Sequence, residues 1–143
     1  MKNRFKFRIW NGSEMHYNDF VVTATGFVGK ITEEFLGKCV FNQEDLSADK
    51  ECVLMQCTGM EDDKGQLIYE GDIVEIWKMC GNIRKRMVVK WRDTQCSFRL
   101  YDLTAMGATP QKLLPYEKRS MGAVTSIKII GNAYEHKELL ECI

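Results

Sequence analysis

The chain has 143 residues, 45% apolar and 28% charged, which is the balance of an ordinary globular protein and not of a disordered one. Its 20 Lys and Arg offset its 20 Asp and Glu, leaving a formal net charge of zero. That argues against a dedicated duplex-DNA binder, whose affinity comes from a basic excess that neutralises phosphates. No apolar run approaches the roughly 18 residues of a membrane helix, and the start MKNRFKFRIW lacks the apolar stretch and cleavage site of a secretory signal. A cytosolic location is therefore expected, with no membrane partner.

In chain order, 5–10 alternates with period two, Phe5, Phe7 and Ile9 facing one way and Lys6, Arg8 and Trp10 the other, the pattern of a half-buried strand. Asn11-Gly12 marks a turn, and 15–22 is the expected second arm of a hairpin. Segment 23–28 has strand composition broken by Gly26, and 31–36 reads as one helical turn or a strand edge. The polar, acidic stretch 42–51 is the expected linker between sub-lobes 1–48 and 49–143 of a single compact domain, 1–143. Next come a short strand at 52–58, a turn at Asp63-Lys64-Gly65, a bend at Glu70-Gly71-Asp72, and strands at 73–79, 84–91 and 97–103. Their short connections imply antiparallel neighbours. Segment 104–122 is a long excursion carrying Pro110 and Pro115, 124–130 is the last strand, and 133–140 a short terminal helix. Five strands in the second half suffice to close a small curled barrel. The expected fold is mostly β: an N-terminal β-hairpin lobe packed on an SH3-like five-stranded pseudo-barrel, with a short C-terminal helix.

Several chemistries fail on spacing. The six cysteines, Cys39, Cys52, Cys57, Cys80, Cys96 and Cys142, contain no C-x-x-C pair, and the histidines are His16 and His136; a structural zinc usually needs paired ligands at short spacing. Reduced thiols are expected, several of them buried, with Cys52, Cys80 and Cys96 in or beside apolar segments. Segment 60–71 superficially resembles a calcium loop centred on Gly65, but its first and last positions are Met60 and Gly71, which donate no carboxylate. The pairs Glu33-Glu34 and Asp62-Asp63 read as solvated surface charge, since adjacent side chains point apart. Neither a cofactor nor a metal site nor catalytic residues are expected.

The basic residues form two clusters. Lys2, Arg4, Lys6 and Arg8 share a strand face with Trp10, and Arg84, Lys85, Arg86, Lys90 and Arg92 surround Trp91. Small β-barrels can combine basic grooves with aromatic stacking on single-stranded nucleic acid. Against this, 61–75 carries six acidic residues and one lysine, and segregated charge serves protein partners equally well. Cations on exposed strands also guard sheet edges. Solubility ranks first among these explanations, protein contact or self-association second, and nucleic acid third.

Four motifs together carry a resemblance. They are Phe5-Lys6-Phe7-Arg8-Ile9-Trp10; the run from Leu54-Met55-Gln56-Cys57-Thr58-Gly59 to Glu70-Gly71-Asp72-Ile73-Val74; Val88-Val89-Lys90-Trp91 with Phe98; and Ile130-Gly131-Asn132-Ala133-Tyr134-Glu135. In this order and spacing the chain resembles the YopX family of phage and prophage proteins, over nearly its whole length. The resemblance implies a β-rich, barrel-like fold and a phage or prophage origin in a bacterial host, and brings no activity and no catalytic residues. The expected role is an accessory, non-enzymatic protein acting through protein contacts or self-association. Alternatives are a single-stranded nucleic-acid-binding module using Arg84, Lys85, Arg86, Lys90, Trp91 and Arg92, and, last, a cysteine-dependent enzyme. Within the motifs, Gly59, Gly65 and Gly71 fall at bends, and Ile68, Ile73 and Ile76 are expected in the core.

Overall fold

The computed structural model describes residues 5–18, 20–22, 28–35, 38–45, 53–78, 82–103, 111–112 and 124–141. Among these the chain is mostly β, with twelve strands, one single-turn α-helix and a short 3-10 turn at Asp93–Gln95. It divides into two compact units, Phe7–Met55 and Met1–Lys6 with Gln56–Ile143, so strand β6, Val53–Glu61, belongs to both.

In the unit Phe7–Met55, strands β1 (Phe7–Trp10) and β2 (Met15–His16) form an antiparallel hairpin, with Ile9 opposite His16 and Trp10 opposite Met15. Its loop opens as the Asn-Gly pair suggested. Asn11 Oδ1 accepts the amides of Ser13 and Glu14, both at 2.9 Å. Two expectations fail here. The strand begins at Phe7, leaving Phe5 82% exposed, and Arg8, Ile9 and Trp10 are all buried, so both strand faces are covered and the alternation is lost. The expected second arm is split, because after His16 the chain leaves the hairpin and Phe20–Val22 becomes β3 of a separate sheet, ordered β3-β4-β5. Of the two readings of 31–36, the strand is the observed one, within β4 (Val28–Phe35). Strand β5 (Lys38–Asp45) runs into the expected linker, since cross-strand pairing with β4 overrides the polar composition. Residues 46–52 and 23–27 lie outside the described residues.

The other unit holds a five-stranded antiparallel sheet ordered β11-β10-β9-β8-β12, built from β8 (Asp72–Lys78), β9 (Ile83–Arg92), β10 (Ser97–Asp102), β11 (Gln111–Lys112) and β12 (Val124–Asn132). The expected strands at 73–79, 84–91, 97–103 and 124–130 correspond to β8, β9, β10 and β12. The excursion 104–122 contributes β11, and its other residues lie outside the described ones. One sheet face carries Val74, Ile76, Met87, Val89, Leu100 and Ile127, which join Ile68 of β7 (Leu67–Tyr69) in one core. Each such side chain contributes roughly 1.5–3 kcal/mol by leaving water. The expected core residues Ile68, Ile73 and Ile76 are all fully buried.

The motif residues build the turns. Gly59, Gly65 and Gly71 all have φ near +80° (82°, 78° and 83°), a region L side chains enter only with strain. At Gly71 three motifs meet: its amide donates to the Val89 carbonyl and its carbonyl accepts from the Ala133 amide, each at 2.8 Å. Asp72, 1% exposed, accepts the Tyr69 amide at 2.8 Å. At the end of β12, Asn132 Oδ1 accepts the amides of Tyr134 and Glu135 at 3.1 and 2.9 Å. A methyl group at Gly131 would lie 2.8 Å from Leu139 Cδ1 and 2.9 Å from His136 Cγ, so any side chain there would force these neighbours to shift. The expected helix at 133–140 is reduced to α1 (Glu138–Glu141), because this Asn132-centred turn occupies its first residues.

Candidate functional site

Strand side chains alternate between faces, and this divides the expected contact residues. Lys85 and Trp91 share the core face of β9 with Met87 and Val89; Arg84, Arg86, Lys90 and Arg92 take the other face with Val88. Lys85 is structural. Its Nζ lies 2.8 Å from Asp102 Oδ2, and the Asp102 side chain is only 3% exposed. Trp91 packs edge-on against Phe98, ring centroids 5.0 Å apart, and Phe98 lies against the core. The six residues therefore do not make one patch.

The outer face gains residues from neighbouring strands. On β10, Tyr101, Arg99 and Ser97 sit opposite Val88, Lys90 and Arg92. On β8, Trp77, Glu75 and Ile73 sit opposite Arg84, Arg86 and Val88. On β12, Ser126 and Lys128 face Trp77 and Glu75. Val88 and Ile73 are buried at 3% and 0%, so this face has two separate polar ends. One holds Arg84, Arg86, Lys128, Glu75 and Trp77; Arg84 reaches Glu75 at 3.9 Å, and a shallow depression of about 110 Å³ is lined by Glu75, Trp77, Arg84, Ser126 and Lys128. The other holds Lys90, Arg92, Arg99 and Tyr101. There Lys90 Nζ lies 5.8 Å from the Tyr101 ring centroid, close enough for a cation–π contact. Arg99 Nε donates to Ser97 Oγ and Arg92 Nε to Thr94 Oγ1, each at 3.1 Å.

Arg99, Tyr101 and Lys128 were not singled out from sequence. Counting back across the hairpin closed by Arg92 and Ser97 would have put Arg99 opposite Lys90. Lys128 needed the β8–β12 register, which no local signal gives. Of the other basic cluster, Arg8 is buried, Lys6 is exposed, and Lys2 and Arg4 lie outside the described residues.

The acidic segment turns inward, contrary to the surface-charge reading of Asp62-Asp63. Asp62 is 6% exposed; its Oδ1 accepts the amides of Lys64 and Gln66, both at 2.9 Å, and its Oδ2 that of Ile129 at 3.2 Å. Asp63 is exposed as expected and accepts a hydrogen bond from Ser126 Oγ. Glu70 Oε1 accepts the Trp91 amide at 3.4 Å. Glu33 and Glu34 lie in β4, and their side chains are outside the described ones.

Among the thiols, Cys57 is fully buried, as expected for several of them. Cys96 overturns its reading: it is exposed, held at φ 44° in the turn after Asp93–Gln95, because the hairpin bend between β9 and β10 lies outside the core. Cys52 and Cys80 lie outside the described residues. His136 Nδ1 accepts the Asn132 amide at 3.3 Å, and His16 Nε2 lies 2.9 Å from Asn11 Nδ2.

Comparison with known proteins agrees with this fold. The family model described as YopX protein matches residues 6–141. The crystal structure of protein yopX from Bacillus subtilis has a TM-score of 0.61 and 21% identity, covering 95% of this chain and 98% of that one. A crystal structure of a protein from Enterococcus faecalis has a TM-score of 0.57 and 24% identity, covering 94% and 96%. No curated protein matches the chain. Since the family model spans the turns and strands that position both ends of this face, the chain belongs to the YopX family.

Proposed function

We propose that the chain is a phage or prophage accessory protein that has no catalytic activity and works in the bacterial cytosol through protein contacts or self-association. The observation that supports this is the use to which its reactive groups are put. Asp62 and Asp72 are buried against backbone amides, Asp102 is buried against Lys85, and His136 Nδ1 is occupied by a main-chain donor. General acid–base and nucleophilic chemistry need such groups within reach of a substrate. These instead hold turns and strand ends in place.

The test combines light scattering of the purified protein with capture of partners from the natural host. A defined oligomer, or a specific protein retained at moderate salt, is the expected result. A strict monomer that retains nothing would remove the reading.

A further inference from the structure

The β9–β10–β11 end of the sheet carries cations in an arrangement that folding alone does not explain. Lys90 on β9 sits opposite Arg99 on β10. Two positive residues thus stand directly opposite each other on strands that run ~4.8 Å apart. Like charges directly opposite one another destabilise a sheet. Arg92 stands two residues further along β9, on the same face. Among the described residues, no carboxylate pairs with Lys90, Arg92 or Arg99, whereas Arg84 at the other end has Glu75.

The ordinary reasons for surface cations do not cover this row. Protection against edge pairing applies to edge strands, but β9 is interior to the sheet, and Arg99 is one of the two β10 positions that β11 covers. Nor is the acidic segment 61–75 a ready internal counterpart: Asp62 and Asp72 are buried, Asp63 accepts from Ser126, Glu75 lies at the opposite end, and Glu70, next to this row, takes the Trp91 amide and forms no ion pair with Lys90 or Arg92. The geometry points to an external polyanion, and we infer that the pair Lys90–Arg99, with Arg92 and Tyr101, binds the phosphate backbone of single-stranded nucleic acid.

Three features favour phosphates over carboxylates. Arg92 and Arg99 are each steadied through Nε by a hydroxyl, leaving the terminal N–H groups of a planar fork that grips a phosphate with two bonds. Tyr101 lies in the adjacent rung of the same face, half-buried, as an aromatic surface beside a charged track, which is how sequence-tolerant single-strand binders are built. The row is short and the chain carries no net charge, which suits a short single-stranded site better than a duplex. This inference goes beyond the protein-contact reading and does not rest on it.

Fluorescence anisotropy of the full chain with a labelled oligodeoxythymidine of about 15 nucleotides tests it, a length within the ~4–16 nucleotides typical of small β-barrel sites. Binding at low salt is expected, weakening as salt rises with a log–log slope of about −2, or ~0.7 per phosphate for three contacts. Arg99→Gln and Lys90→Gln should each weaken binding and flatten the slope by about 0.7, while Arg84→Gln leaves both unchanged. Melting curves matching the parent confirm the variants are folded; if Arg99→Gln is not, Lys90→Gln and Arg92→Gln report on the same surface. Absence of binding at low salt would overturn the proposal, as would unaltered binding by folded variants. Displacement of the oligonucleotide by polyglutamate at equal charge concentration would also overturn it, in favour of an acidic protein partner.

Discussion

Asp62 shows how one residue fixes three parts of the chain. Two of its acceptor bonds close the turn between β6 and β7, and the third reaches Ile129 on β12, 67 residues further along. A carboxylate can accept several donors at once, and each buried N–H left without a partner costs roughly 1–3 kcal/mol. Asp62→Ala is expected to destabilise the protein by about 2–4 kcal/mol, read as a lower urea midpoint with an unchanged slope. A shift below about 1 kcal/mol would mean that water replaces these bonds. Cys96 shows the limit of reading residues by their neighbours. It stands beside the apolar strand β10, yet it occupies a left-handed turn position where its thiol reaches only the Asp93 carbonyl, at 3.4 Å.

At the scale of elements, β9 is decided by what lies across from it. Lys85 stands in the core-facing row, and its ammonium is accommodated because Asp102 lies within 2.8 Å. Lys85→Met leaves the Asp102 carboxylate 3% exposed without that partner. The expected cost is about 1–2 kcal/mol, less than the ~3–5 of a fully buried broken pair, because the Lys85 side chain is 35% exposed and water screens it. Chemical denaturation of the variant checks this, and adding Asp102→Asn should recover part of the loss. Strands β8, β9 and β10 were legible in the sequence because tight turns delimit them and apolar residues recur along them. Strands β4 and β5 were not, since charged and polar residues interrupt them and only their mutual pairing makes them strands. The full length of β12 was hidden by register shifts between Val124 and Ser126 and between Ile129 and Gly131, which break the period-two pattern. The candidate site was half legible. Its β9 cations lie close together in sequence and their partition between two faces follows from strand alternation, but their partners Arg99 and Tyr101 depend on register.

For the molecule as a whole, zero net charge and a pI near 6.7 mean that electrostatic repulsion between copies is minimal close to neutral pH. Solubility should therefore pass through a minimum near pH 6.7. Adding about 0.15 M salt should raise it there, by screening attraction between basic and acidic regions of different copies. A solubility curve measured at two ionic strengths checks this, and a minimum displaced by more than about one pH unit would contradict it. The turn at Asp62 and Asp63 has a further consequence at this scale. It engages the outer margin of β12, where the Asp63 amide binds the Ile127 carbonyl at 3.0 Å and Asp62 takes the Ile129 amide. A foreign strand seeking to lengthen the sheet from that side finds those main-chain groups already taken.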